Sequence, residues 1–160
     1  MYLKGERMKK IYFLFIVLSM CVGASEVRSN LNLYVDAWNK HDEKRIRDTF
    51  SENVKWYDLC YDYTTEGKDN VSKEIIKAFL GSVKDMHWLP KGDVFELDNT
   101  IIFEWVYGGT YNGLFDEKKI SNKKFEIKGL SVIIFNKNGK IDIQKDYYNL
   151  DDLKNKLGIK

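Results

Sequence analysis

The apolar residues of this chain change period for good at its only proline. Before Pro90 they recur at helical spacing: Leu31, Tyr34, Val35 and Trp38, then Val71, Ile75, Ile76, Phe79 and Leu80. After it they form β-rich runs over Asp93 to Leu97, Thr100 to Gly108, Phe125 to Phe135 and Lys140 to Tyr148. A helix repeats every 3.6 residues and a strand every two, so each half favours a different element. Helices followed by antiparallel strands predict an α+β fold. In it the N-terminal helices cover a strongly bent, cone-shaped antiparallel sheet whose apolar interior is a natural pocket.

The punctuation agrees. Asp42 is placed to cap a second helix through Ile46 and Phe50, and Val54 to Asp58 reads as a short strand. Gly67 to Asn70 opens the third helix, and Asp151-Asp152-Leu153 a short C-terminal one. Asp98-Asn99 and Asn136 to Gly139 read as hairpin turns, and Tyr111 to Asn122, with its Gly, Asp and Lys residues, as a loop between paired strands. No repeat or long linker divides the chain, which predicts one domain over residues 25–160.

Residues 1–24 read as an address. Lys4, Arg7, Lys9 and Lys10 against Glu6 precede an apolar run from Ile11 to Val22, and Gly23-Ala24 supplies the small exit. That is the layout of a secretory signal peptide cleaved after Ala24, and Met8-Lys9-Lys10 is itself a typical signal start. The run is too short for a spanning helix, which needs about 20 apolar residues. The protein is therefore expected to be exported, periplasmic or extracellular, and to meet a membrane only through this signal. A buried core helix would leave the basic flank unexplained. A lipoprotein box ending at Cys21 would place Met20 where such boxes want a small residue, so anchoring ranks behind plain cleavage. Cleavage leaves Cys60 alone, with no disulfide framework, as a packed thiol. The segment also holds +3 of charge, so the +2 total becomes −1 on the remainder. No basic field for nucleic acid is left.

Three stretches resemble a known family. Leu33 to Asp42 with Phe50 to Val54, Gly67 with the helix through Phe79, and Gly129 to Phe135 followed by Lys140 to Leu150 are similar to the nuclear-transport-factor-2-like superfamily, in its SnoaL-like, polyketide cyclase-like branch. The Asp146-Tyr147-Tyr148 ending on the final strand is the most specific part. The resemblance implies a cone-shaped α+β barrel, commonly a homodimer through its sheet, with no cofactor. Family activities range from isomerases, cyclases and epoxide hydrolases to binding domains, so fold leaves function open.

Asp146 is the leading chemical candidate. The resemblance implies that its carboxylate lies inside the cone, where burial would raise its pKa and suit it to acid–base work. Strand alternation predicts that Asp142, Gln144, Asp146 and Tyr148 share one face, as do Phe103, Trp105 and Tyr107. In the limonene epoxide hydrolases that this chain resembles, the latter strand carries an arginine and a second aspartate. Trp105 and Tyr107 stand at the matching positions, which argues against that route. Tyr57 is a candidate oxyanion donor, as in the related ketosteroid isomerases, and His87 a candidate acid, as in the cyclase branch. Trp38, Trp56 and Phe79 complete the expected aromatic wall. The two histidines lack metal-ligand spacing, so no metal site is expected.

Three functions compete: an exported domain binding a small apolar or aromatic molecule, a cofactor-free lyase, isomerase or cyclase using Asp146, and a dimerisation or interaction module. A vacant cavity beside Asp146 would favour the first two, and a cone filled by side chains the third.

Overall fold

Short polar interruptions divide the helical half. In the computed structural model, which describes residues 26–159, α1 spans residues 26–39. The expected signal segment, its cleavage point at Ala24 and Cys21 lie outside the described residues. α1 stops at Lys40-His41, where His41 takes a left-handed φ of 54°. Asp42 then caps α2, Glu43–Thr49, its carboxylate accepting from Arg45 N at 3.0 Å. Gly67, at φ 85°, turns the chain into α3, which runs through Lys68–Asn70, a π-helical turn at Val71–Ile76, and Lys77–Ser82.

The remaining chain is mostly sheet. β1, Phe50–Asp58, follows α2 directly, and β2, Tyr63–Glu66, follows a 3-10 turn at Leu59–Tyr61. β3, His87–Leu97, β4, Thr100–Phe115, β5, Lys118–Phe135, and β6, Ile141–Tyr148, complete six strands in the order β2-β1-β6-β5-β4-β3. α4, Leu150–Leu157, is capped by Asn149 and buries Leu153 and Leu157. The core runs between helices and sheet. Its centre is Tyr34, fully buried and edge-on to Trp38, Phe50 and Trp88 with ring centroids 6.3, 5.6 and 5.6 Å away.

The α+β architecture matches the periodicity, and four details correct it. First, the sheet is not wholly antiparallel: β1 and β6 pair in parallel, aligning Asp58 with Asp146. Second, Tyr111 to Asn122 is no loop. β4 and β5 continue as paired strands to a two-residue turn at Asp116-Glu117, both at positive φ. The aspartate and lysines that suggest a loop occupy exposed positions, while Tyr111, Phe115 and Phe125 turn towards the cavity. Third, β3 begins before Pro90; it is an edge strand, where a missing N–H costs no ladder bond, and its register shifts between Pro90 and Val94. Fourth, a register shift opposite Ile134-Phe135 breaks the alternation of β6, so Ile141 is fully buried and Asp142 accepts from Asn136 Nδ2 instead of sharing the Gln144 face.

A carboxyl-floored aromatic cavity

The sheet's inner face carries a transverse row set by pairing. Asp58 on β1 lies opposite Asp146 on β6, which lies opposite Ser131 on β5. The neighbouring row holds Trp56, Gln144 and Ile133. Side chains of one face alternate with those of the other, so Trp56 and Asp58 point inward together and Tyr57 between them cannot.

Between this face, α3 and α4 lies a cavity of ≈ 250 Å³. Its wall includes all four tryptophans of the chain, Trp38, Trp56, Trp88 and Trp105. Phe79, Tyr107 and Phe125 extend that wall, and Leu153 of α4 adds an aliphatic patch. Asp58, Gln144, Asp146 and Tyr148 form its polar floor.

Asp146 is held by neutral donors. Ser131 Oγ donates to Oδ1 at 2.5 Å, and Gln144 Nε2 lies 3.2 Å from each carboxylate oxygen. Both donors are themselves fixed. Trp105 Nε1 donates to Ser131 Oγ at 2.8 Å, so the serine's one proton is directed at Asp146. Tyr34 OH donates to Gln144 Oε1 at 2.7 Å, which turns the amide nitrogen to the carboxylate. Burial pushes the Asp146 carboxyl up to about 7; the Ser131 and Gln144 bonds oppose that shift, and the Asp58 charge adds to it. Its residual accessible surface faces the cavity.

Asp58 is engaged differently. Its Oδ1 accepts from Cys60 N at 2.9 Å and its Oδ2 from Tyr148 OH at 3.0 Å. Burial raises its pKa, and these two bonds oppose the rise. Burial, followed by the Asp58 charge, pushes the Tyr148 phenol far up, so it stays a neutral donor.

Gly129 makes the wall possible. A Cβ there would lie 2.3 Å from the Trp105 ring and 2.7 Å from Tyr147 O. Only glycine lets that indole lie across β5 and reach Ser131.

Of the residues singled out in the sequence, Asp146, Trp38, Trp56, Phe79, Trp105, Tyr107, Gln144 and Tyr148 meet at the cavity. Three do not. Phe103 is core, fully buried against Trp88 with centroids 5.5 Å apart. Tyr57 faces away and donates to Asp62 Oδ1 at 3.0 Å. His87 is 40% exposed and sits 3.3 Å from Glu126 Oε2. Asp58 and Ser131 escaped the sequence reading. Asp58 is two residues from Trp56, a spacing that places both on one face; Ser131 carries no local signal.

Comparison with known proteins agrees with this architecture. The profile of the SnoaL-like domain family matches residues 31–142. A protein assigned as a SnoaL-like polyketide cyclase from Shewanella denitrificans superposes with a TM-score of 0.73 at 15% identity, over 82% of this chain and 96% of that one. AclR from Streptomyces galilaeus, assigned as a hydroxylase, gives 0.72 at 18%, over 84% and 97%. A ketosteroid isomerase-like protein from Catenulispora acidiphila, in complex with trimethylamine, gives 0.68 at 16%, over 82% and 93%. No curated protein matches the sequence.

Proposed function

This chain belongs to the SnoaL-like domain family, and on that premise we propose that it is an exported domain whose cone binds a small, largely apolar molecule on which Asp146 moves a proton. The observation that carries the reading is a buried carboxyl, held only by neutral donors, on the floor of an aromatic-walled cavity, where burial pushes it up to about 7. As a carboxylate, Asp146 takes a proton from the bound molecule. As the acid so formed, it returns the proton: to another carbon in an isomerisation, to the alkoxide left when the carbanion adds to a carbonyl in a cyclisation, or to the group that departs in an elimination. Ser131 and Gln144 stabilise the carboxylate form and fix its direction. A cone that its own side chains leave unfilled favours this reading over a pure interaction module.

Export follows from the layout of residues 1–24. The apolar outer positions Ile102, Leu130, Val132, Ile134 and Ile143, which alternate with the inward residues, support pairing of two copies through the sheet.

The test is a ligand-observed NMR screen of small aromatic and aliphatic molecules in deuterated water. Hits should compete for one site and quench tryptophan fluorescence. Those with an acidic C–H should gain deuterium with the native protein and none with Asp146→Asn. Binding without exchange in any hit would reduce the domain to a carrier, and no binding would refute the pocket reading.

A further inference from the structure

The cavity wall carries charge of one sign. Its lining holds two carboxylates, Asp58 and Asp146, and among the described lining residues no lysine, arginine or histidine. The described hydrogen-bond partners of both carboxylates are neutral: Ser131 and Gln144 for Asp146, Tyr148 and the Cys60 amide for Asp58. The two strands that carry them run side by side, so the acids reinforce each other.

Around this floor stand aromatic rings, whose faces are also electronegative. Trp38 lies 6.1 Å from Trp56 and 6.5 Å from Trp88, centroid to centroid, and the fourth indole, Trp105, is pinned by Ser131. Aromatic walls over a carboxylate attract a weakly hydrated cation by ring quadrupoles and by direct charge, and the surrounding apolar volume screens neither. An anion meets repulsion there, and a neutral molecule leaves the field unanswered.

We propose that the molecule bound in this cavity is a small organic cation: an amine or quaternary ammonium head against Asp146, on an apolar body among the tryptophans. The proposal rests on the pocket reading above and narrows it. Size permits this. A cavity of about 150 Å³ accepts benzene, so ≈ 250 Å³ has room for one ring with a trimethylammonium-sized head.

Binding and protonation are then linked. Asp146 is faced by Asp58 and Trp56 from β1, Ser131 from β5, Gln144 and Tyr148 from its own strand, and through Gln144 by Tyr34 of α1. Asp58 is the only other carboxyl among these. A bound cation favours the ionised form of Asp146. It therefore displaces a proton near pH 7, and its affinity rises as pH rises through that range.

The experiment compares phenyltrimethylammonium with its uncharged isostere tert-butylbenzene on the purified protein. Tryptophan fluorescence reads binding at pH 5.5 and 8.5, and calorimetry in two buffers of different ionisation enthalpy reads proton release. The cation should bind at least ~10-fold more tightly than the isostere at pH 8.5, lose most of that advantage at pH 5.5, and release a fraction of a proton at pH 7. Asp146→Asn should keep tert-butylbenzene binding and remove most of the cation's advantage, leaving the share due to Asp58 and the rings. Equal affinity for the two probes at pH 8.5 overturns the cation proposal and leaves the pocket reading standing. Failure of both probes to bind overturns both. Cation binding without proton release, or a preference undiminished by Asp146→Asn, removes Asp146 as its partner and overturns the assignment.

Discussion

Replacing Asp146 by asparagine should stabilise the protein, and only at pH values where the native carboxyl is charged. Asparagine keeps the shape and an oxygen to accept from Ser131 and Gln144, and it discards the buried charge. The native carboxyl sits near 7 against an ordinary 3.8, so the folded state binds this proton more tightly than the unfolded chain does. Stability therefore falls as pH rises between those values, and the penalty is complete above about 7. About three pKa units at 1.36 kcal/mol each give up to ~4 kcal/mol at pH 8.5 and almost nothing at pH 4. With a urea slope of ~1.5–2 kcal/mol/M, that moves the unfolding midpoint up by as much as ~2–3 M. The assay is urea denaturation of both proteins at pH 4 and 8.5, followed by circular dichroism. A midpoint gap of the same size at the two pH values, or a less stable variant at pH 8.5, refutes the reasoning.

Other substitutions probe the groups around that carboxyl. Ser131→Ala removes the shortest bond to Asp146, so the carboxyl should titrate above its native value, read by carbon-13 NMR of labelled aspartate. Gly129→Ala forces a Cβ into the Trp105 ring; it should cost about 1–3 kcal/mol in thermal or urea unfolding and shift the tryptophan emission spectrum. Tyr148→Phe leaves Asp58 with the backbone amides of Cys60 and Tyr61; it should cost about 1–3 kcal/mol at pH 8 and less at pH 4, measured by the same denaturation. Asp85 accepts from Thr110 N at 2.6 Å and from Thr110 Oγ1 at 2.8 Å, tying the long hairpin to the end of α3. Asp85→Ala should speed amide exchange at Thr110 and Tyr111 while leaving exchange at Tyr34 unchanged.

How much of this was legible beforehand depended on whether the signal was local. The helix stripe from Val71 to Leu80 and the strand pattern Phe103-Trp105-Tyr107 are periodic within one element, and both elements stand where the period put them. Tyr57 was misjudged although the same period decides it, because its neighbour Trp56 claims the inner face. The hairpin tip was misjudged for a different reason. Its outer residues are polar, and its turn is Asp-Glu rather than the usual Asn-Gly, so composition resembled a loop. The core of the site was beyond reach. Asp58 meets Asp146 only because β1 and β6 pair in parallel across 88 positions, and Ser131 reaches the same carboxyl from a third strand. Such contacts are properties of strand order, which no single segment encodes.

Proton transfer in this cavity turns on the protonation of one side chain. Carbon-13 NMR of aspartate-labelled protein, with Asp146→Asn to assign the resonance, measures it directly. A carboxyl buried in this way should titrate with a midpoint of about 7, and its shift should respond to molecules that quench tryptophan emission. A midpoint near 4, unmoved by any such molecule, would mean that Asp146 is an ordinary solvated acid and that the cavity is not a site for proton transfer.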